Sequence, residues 1–451
     1  MKFAMMKYDM TPRQPVFLHG FGARSDQSSG ILDPLYMKAV LLEANESLLM
    51  ITIDALASDR SFVVGMKDAL QAAFGFRHDQ VMINFSHTHH SVYLTGLDPT
   101  LRKGGYSMGQ KNWARDESEL EYSRDEAMFI EMRDALIEGV KQCQAELVEG
   151  KLSFSKVKSD FGVSRRRPNE NGGVDWAPYF DGIIDDDLFV LKLETLDGET
   201  KGILYSYGCH TTAMGSDNYR FSNDFVGPAS ALLEQSYPNA MAMFIQACAG
   251  EIKPRKGANE DQFFGASDAL LQEIGEDLAR EVMHMLDQSV FKTIEGPFKS
   301  ILLDPLMYTE QTPVSVYEAI EQDHEGYNEF YRNSATRTIS AIKDETIKDR
   351  VPMYIAIWQL GEDMTVIAME GEISTQYGRI LKKFFCKENS DMMVLGYTNG
   401  GFSYIPTRTM IGEGGYESTC NFFFGLRGPY VPEIEDIIVG QVAAGLHELT
   451  R

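Results

Sequence analysis

Short apolar runs rich in β-branched and aromatic residues alternate with longer segments of helical periodicity along the chain. This alternation predicts an α/β protein, in which each apolar strand face is covered by a neighbouring element. Residues 37–42 and 48–54 flank a polar segment and predict a hairpin. Residues 61–75 place apolar side chains from Phe62 to Phe74 on one stripe and predict a helix.

Composition narrows the class of protein. The 451 residues are 43% hydrophobic and 24% charged, which is typical of a globular chain. Five widely spaced cysteines without a CxxC pair argue against a disulfide framework and against a thiolate zinc site. The formal charge of -24 argues against nucleic acid or anionic lipid as a partner. With neither a signal peptide nor an apolar membrane span, we expect a cytoplasmic protein that binds a small molecule. The sequence predicts no particular oligomeric state.

A histidine cluster follows the predicted buried strand 81–85. The segment SHTHH, residues 86–90, holds three of the nine histidines of the chain. His-x-His on an extended segment projects both rings to one side, which suits a metal ion or a metal ion and a general base. The alternative is a surface loop whose histidines are solvated.

Three further polar residues stand at or just past the ends of predicted strands, namely His210, Glu372 and Tyr404. Sites in α/β folds form where strand ends converge, so residues distant in sequence can meet there. Taken singly, each has a simpler explanation. His210 could be a satisfied core or surface residue, Glu372 a charge that complements a helix N-terminus, and Tyr404 an aromatic packed on a turn.

Residues 159–186 are rich in Gly, Asn, Asp and Pro and contain the basic cluster Arg165, Arg166 and Arg167. We predict a long loop here. A loop of this length inside a folded domain is more often functional than idle.

Seven segments resemble, in order, the motifs of the neutral ceramidases, which are zinc-dependent amidases that cleave the N-acyl bond of ceramide. The segments are GFGARSDQSSGILDPLYMKAVLLE, SHTHH, RRRPN, YGCHTTAMG with SNDFVGPAS, MEGEISTQYGRIL, TNGGFSYIPT and GGYEST. They span about residues 20–420. The resemblance implies an α/β fold of mixed β-sheets packed by outer helices. It also implies one catalytic domain over residues 1–451, without the immunoglobulin-like domain that ends the known ceramidases.

Carried over to this sequence, the resemblance implies zinc bound by His87, His210, Glu372 and Tyr404. Two imidazoles, a carboxylate and an open position are also a known composition for hydrolytic zinc. The phenol ligand rests on the resemblance alone.

The resemblance also implies catalytic roles for three residues near the metal. His89 falls where the family keeps its general base. Tyr416 would donate a hydrogen bond to the oxyanion. Arg166 aligns best with the arginine that contacts the substrate, although Arg165 or Arg167 could fill that role.

One segment departs from the family pattern. Where the family has Gly-Asp-Val-Ser-Pro, this chain has CAGEIKPR, so Lys253 replaces the serine and Glu251 the aspartate. Zinc-activated water needs no serine nucleophile, but ceramide as substrate comes into doubt. Lys253 with Arg165 and Arg167 favours a small polar substrate, with a carboxylate as the candidate group. The alternative is a structural ion pair between Lys253 and Glu251.

The sequence therefore predicts a zinc-dependent hydrolase that cleaves an amide (N-acyl) bond of a small polar substrate. Two alternatives stay open. One is a zinc-dependent lyase or isomerase built on the same site. The other is a non-catalytic ligand-binding protein, against which the retention of every ligand residue argues.

Overall fold

The structure of the chain is a computed structural model that describes residues 1–22, 24–101, 119–401 and 403–451. Ala23 and Phe402, which belong to two of the motifs above, lie outside the described residues.

The described strands, in chain order, are β1 (Lys2–Asp9), β2 (Gly30–Ile31), β3 (Tyr36–Glu43), β4 (Ser47–Ile53), β5 (Ala57–Ser58), β6 (Val81–Phe85), β7 (Tyr93–Leu94), β8 (Val148–Lys158), β9 (Gly162–Pro168), β10 (Val174–Tyr179), β11 (Asp187–Thr195), β12 (Thr200–Tyr207), β13 (Arg220–Phe221), β14 (Met241–Gln246), β15 (Ile252–Pro254), β16 (Lys292–Thr293), β17 (Phe298–Leu303), β18 (Leu306–Tyr308), β19 (Arg350–Pro352), β20 (Ile355–Leu360), β21 (Met364–Met369), β22 (Glu372–Ile373), β23 (Asp391–Leu395) and β24 (Tyr404–Ile405). The described α-helices are α1 (Arg60–Phe74), α2 (Glu119–Ala145), α3 (Val226–Ser236), α4 (Asp268–Gln288), α5 (Val314–Gln322), α6 (Glu329–Lys343), α7 (Thr375–Phe385), α8 (Arg408–Glu413), α9 (Tyr416–Thr419) and α10 (Ile434–Leu449).

Two mixed sheets form the centre of the fold. The larger has the strand order β14-β12-β11-β8-β1-β3-β4-β6, with β16 paired to β8, and the smaller has the order β17-β20-β21-β23. Most neighbours are antiparallel, but β12 with β14, β4 with β6, and β21 with β23 are parallel. The predicted hairpin is present as β3 and β4, whose register pairs Glu43 with Ser47.

Alternating side chains make the two sheets pack face to face. Val40 and Met50 of the large sheet share one buried cluster with Ala356 and Trp358 of the small sheet. Their strand neighbours point the other way, because successive side chains of a strand face opposite sides of the sheet.

Helices cover the outer faces of both sheets. Helices α1 and α2 pack on β4 and β6, helices α3 and α4 on β11, β12 and β14, and helices α7 and α10 on the small sheet. The predicted class, mixed β-sheets packed by outer helices, is confirmed.

The predicted loop at 159–186 is wrong in its first part. Strands β9 and β10 form a hairpin there, and β9 also pairs with β15. The glycine and asparagine content marks only the turn, where the Asn169 side chain accepts hydrogen bonds from the backbone of Asn171 and Gly173. The arginines indicated an exposed segment, and β9 was therefore not predicted as a strand. In the fold, distant residues compensate their charges.

The five cysteines, all of them in the described residues, are free thiols. Among the helices of the described ranges, none is both long and apolar enough to span a membrane.

The contact between α1 and β6 supports the strand that leads to the histidine cluster. Phe62 is fully buried, and its ring centre lies 6.4 Å from that of Phe85 and 5.7 Å from that of Phe129. We expect Phe62→Ala to lower the free energy of unfolding by about 3–5 kcal/mol, because it removes a large buried ring. Urea titration followed by circular dichroism measures this loss. Phe384→Ala is the control, since Phe384 is 64% exposed, and a loss of equal size in both variants would contradict the assigned core.

Candidate metal centre

His87 is the first residue of the centre, just past the end of β6. Its backbone has a φ of 62°, in the left-handed region, and its amide donates to the carbonyl of Ala55 at 3.0 Å. Its Nδ1 lies 2.8 Å from the carbonyl oxygen of Leu56. A carbonyl only accepts, so Nδ1 carries a proton and Nε2 is the nitrogen that can present a lone pair to a metal ion.

His210 follows β12 and is fixed in the same way. Its amide donates to the carbonyl of Ile252 at 2.9 Å, and its Nδ1 donates to the carbonyl of Ala249 at 2.7 Å. Nε2 of His210 is therefore also the nitrogen that is available to bind a metal ion. The ring centres of His87 and His210 lie 4.9 Å apart.

Glu372 and Tyr404 reach the centre from the parallel strand pair β22 and β24, in which they are direct register partners. Oε2 of Glu372 lies 3.2 Å from Nε2 of His87 and 3.1 Å from Nε2 of His210. The Tyr404 hydroxyl lies 3.3 Å from Nε2 of His210. The structure thus brings together the four residues named as ligands from the sequence, which are separated by up to 317 positions, from 87 to 404.

The charge state of this group fits a cation. Burial lowers the pKa of His210 to about 4, so its ring is neutral near pH 7. Burial raises the pKa of Glu372, but His87 and His210, when they are protonated, hold it well below its ordinary value by attraction and hydrogen bonding. When both rings are neutral, two nitrogen lone pairs face a carboxylate oxygen. A positive ion between them removes this repulsion, and two imidazoles with a carboxylate are a zinc-type donor set.

His89 lies as close to the centre as these residues. Its Nε2 is 3.2 Å from Nε2 of His87, and ligand atoms of His87, His89 and His210 all lie within 4.8 Å of one another. These three rings could hold a metal ion. Two donor sets therefore share His87 and His210: one adds Glu372 and Tyr404, and the other adds His89.

The His89 ring sits in a tight cradle. A Cβ at Gly20 would lie 2.4 Å from its Cγ, and the Phe21 ring packs edge-on against it at 4.7 Å. Its Nδ1 is buried and has no hydrogen-bond partner among the described residues. Burial lowers the pKa of His89 well below its ordinary value.

His90, the third histidine of SHTHH, supports the centre from outside. Its Nε2 lies 3.3 Å from the carbonyl of Gly215, and its Nδ1 lies 3.8 Å from Asp224. Asp224 accepts hydrogen bonds from the backbone of Ala213 and Met214, which follow His210 in sequence. This pair therefore fixes the segment after His210.

Comparison with known proteins identifies the family of the chain. A family model described as the N-terminal part of neutral/alkaline non-lysosomal ceramidase matches residues 3–268. The chain belongs to this family. Membership implies an amide hydrolase.

Solved structures share the fold over nearly the whole chain. A crystal structure of neutral ceramidase from Pseudomonas aeruginosa superposes with a TM-score of 0.71 at 18% identity, covering 98% of this chain and 73% of that one. A structure described as ceramidase complexed with C2 gives a TM-score of 0.68 at 17% identity, covering 97% and 73%. At these identities the likeness shows the fold.

Of the three arginines, Arg165 lies beside the centre of this ceramidase-family chain. Its guanidinium carbon is 5.4 Å from the ring centre of Tyr404 and 5.6 Å from that of Tyr416. Its Nε donates to Glu417 at 2.7 Å, and it also donates to the carbonyl of Gly250 at 2.8 Å. The Tyr416 ring in turn meets Tyr404 edge-on at 5.4 Å.

Arg166 and Arg167 have other partners. Arg166, the favoured substrate contact from the sequence, donates to Glu417 at 2.7 Å and Glu413 at 3.1 Å. Arg167 donates to the carbonyls of Pro178 and Glu260. The geometry therefore favours Arg165 for a role at the site, which was one of the open alternatives.

Lys253 lies next to His210 rather than in an ion pair with Glu251. Its Nζ donates to Oγ1 of Thr212 at 2.8 Å and to the carbonyl of Thr212 at 3.1 Å. Glu251 instead accepts from the hydroxyl of Ser374 at 2.8 Å and the amide of Thr375 at 3.1 Å, at the start of α7. In the described part of the chain the alternative Lys253–Glu251 pair is not present.

Two residues at the site were missed from the sequence. Arg24 is buried and donates to the backbone carbonyls of His89, Ser216 and Asn218, so it fixes the main chain at His89. Tyr397, with a φ of 51°, places its ring centre 4.4 Å from that of His87. Tyr397 lies two residues past the end of β23, so the strand-end criterion that pointed to the candidate ligands applied to it as well.

We expect purified wild-type protein to bind one divalent ion, and His210→Ala and Glu372→Ala to weaken that binding by at least about 100-fold, since each removes a candidate metal donor. Calorimetric titration of chelator-treated protein with zinc measures the affinity. His284→Ala, at an exposed position, is the control.

His89→Ala separates the two donor sets. Retained zinc affinity in this variant agrees with ligation by Glu372 and Tyr404. Loss as severe as that of His210→Ala would show instead that His89 is a ligand.

Proposed function

We propose that this protein is a zinc-dependent hydrolase that cleaves the amide (N-acyl) bond of a small polar substrate. The observation that carries the proposal is the convergence of His87, His210 and Glu372 on one point, with His89 beside it. Family membership supplies the reaction class. The donor set supports zinc, and His87, His210, Glu372 and Tyr404 would hold it.

A bound zinc ion supplies Lewis acidity, which polarises a carbonyl and lowers the pKa of water to about 7. The remaining roles fall to side chains. The reaction breaks the C–N bond of the amide, places the water oxygen on the carbonyl carbon, and gives a carboxylic acid and an amine.

His89 is the proposed general base and acid. Its neutral ring accepts a proton from the attacking water and returns it to the leaving amine nitrogen. Support comes from its position next to His87 and from its buried Nδ1, which has no partner within the described ranges. The cradle of Gly20 and Phe21 holds the ring in place without binding its nitrogen.

Tyr416 and Arg165 are proposed to act on the carbonyl side. Burial raises the pKa of Tyr416 well above its ordinary value, so the hydroxyl keeps its proton and can donate to the developing oxyanion. Arg165 lies against the rings of both Tyr404 and Tyr416 and is anchored by Glu417. It therefore positions the two phenols.

The polar character of the substrate is supported by Lys253, which brings a positive charge to the flank of His210. Arg165 and Arg167 are less suited to direct binding, because they already donate hydrogen bonds to Glu417 and to backbone carbonyls. Ceramide, the substrate after which the family is named, is the natural comparison.

The reaction is tested by incubating zinc-loaded protein with N-acyl amino acids, N-acyl amino sugars and ceramide. We expect free acid and free amine in equal amounts from a polar amide. Hydrolysis of ceramide alone would contradict the polar substrate. An unsaturated or rearranged product without free acid would instead support a lyase or isomerase, and binding without turnover would support a ligand-binding protein.

We expect His89→Gln to lower kcat on a hydrolysed amide by about 10²–10⁴-fold, because the glutamine side chain cannot shuttle a proton. Its zinc content, measured by mass spectrometry, should equal that of wild type. His284→Gln is the matched control. Full activity in a zinc-loaded His89→Gln protein would exclude His89 as the base.

A further inference from the structure

Lys253 ends in a cationic group that has no part in the proposed proton transfers or bond changes. The ammonium has three donor protons, and Thr212 receives two of its hydrogen bonds. Among the described residues Lys253 forms no ion pair. A positive charge with a proton left to donate, next to the candidate metal centre, can attract an anionic group.

Its place next to the centre is set by the backbone. The carbonyl of Ile252, the residue before Lys253, accepts the amide of His210 at 2.9 Å. Thr212 accepts the hydrogen bonds of the Lys253 ammonium, and its own amide donates to the carbonyl of His210 at 2.8 Å. Lys253 is therefore connected to His210 through its main-chain neighbour Ile252 and through its side-chain partner Thr212.

Two aromatic rings stand next to the ammonium. Nζ of Lys253 lies 5.6 Å from the ring centre of Phe263 and 6.0 Å from that of Trp176. The two rings meet edge-on with centres 5.3 Å apart, and Trp176 is 54% exposed. An exposed tryptophan next to a cation is a surface that can cover an apolar group.

Arg167 holds these rings together. It donates through Nε to the carbonyl of Pro178 at 2.9 Å, in the hairpin of Trp176, and through Nη2 to the carbonyl of Glu260, in the loop of Phe263. That loop is closed by a bridge between Ala258 and Phe263. The aromatic pair is thus fixed before any ligand arrives, which lowers the entropic cost of binding.

We propose that Lys253, Trp176 and Phe263 form a subsite for a carboxylate that carries an aromatic or large apolar group. The carboxylate accepts from Nζ of Lys253, and the apolar group packs on the two rings. Resting on the proposed amide hydrolysis, this assigns the substrate class as N-acylated amino acids with an apolar side chain.

The substrate test uses zinc-loaded full-length protein and three amides. N-acetyl-L-phenylalanine has both recognition groups, N-acetylphenethylamine lacks the carboxylate, and N-acetylglycine lacks the ring. We expect the first to have the lowest KM. Lys253→Met should raise its KM about tenfold or more with little change in kcat, and leave N-acetylphenethylamine unaffected. Lys256→Met is the control, because Lys256 pairs with Glu273 and Asp277 at the surface.

Trp176→Ala keeps the test valid should Lys253→Met not fold, because Trp176 is exposed. We expect it to reduce the preference for N-acetyl-L-phenylalanine over N-acetylglycine by about fivefold. Equal KM values for N-acetyl-L-phenylalanine and N-acetylphenethylamine, or variants that behave as wild type, would overturn the subsite while leaving amide hydrolysis intact.

A binding measurement separates the subsite from the reaction. Calorimetry with chelator-treated protein should show 3-phenylpropanoate binding more tightly than 3-phenylpropanamide, and Lys253→Met should abolish the difference. Such binding in a protein that hydrolyses no amide would keep the subsite and reject the proposed function. Equal binding of the two probes by wild type would reject the subsite.

Discussion

The centre depends on the contact of two imidazole nitrogens with one buried carboxylate. The backbone fixes this contact. The carbonyls of Leu56 and Ala249 accept hydrogen bonds from Nδ1 of His87 and His210, which orients the Nε2 atom of each ring toward Glu372. Such a group is unfavourable without a positive charge between its members. Strand ends that carry these residues are therefore held together by packing elsewhere, and the face-to-face sheets with their outer helices provide it.

A second buried charge group organises the other side of the site. Glu417 accepts from both Arg165 and Arg166, so one carboxylate holds two neighbouring guanidinium groups of β9. Removing one partner of a buried pair leaves an uncompensated charge, which makes such a group a strong determinant of local geometry. Because Arg165 lies against the rings of Tyr404 and Tyr416, the same charge group also constrains the positions of these two rings. The hairpin of β9 and β10 is thus a structural link between a proposed ligand and the side where the substrate would bind.

Sequence periodicity was sufficient to predict most helices and strands. It failed for β9, a strand whose charged side chains are buried. The stripe of Phe62 and the strand 81–85 follow ordinary patterns, and both lie where predicted. Strand β9 was read as loop because Arg165 and Arg166 are buried through partners some 250 residues away, which no local pattern reveals. Because these partners are so distant in sequence, the sequence also could not decide whether Arg165 or Arg166 lies beside the site. Arg24 was missed because it acts through backbone carbonyls, and any segment can supply those.

Position 253 shows how the proposed chemistry and the choice of substrate can vary separately. The candidate ligands lie at the ends of β6 and β12 and on β22 and β24, and Lys253 lies on β15, whose Ile252 carbonyl accepts from the amide of His210. The side chain at position 253 is not itself one of the candidate metal donors. The resemblance places a serine at this position in ceramidases. Replacing a small hydroxyl by a long cation, next to the fixed rings of Trp176 and Phe263, alters what can lie beside the centre while the donor set stays the same.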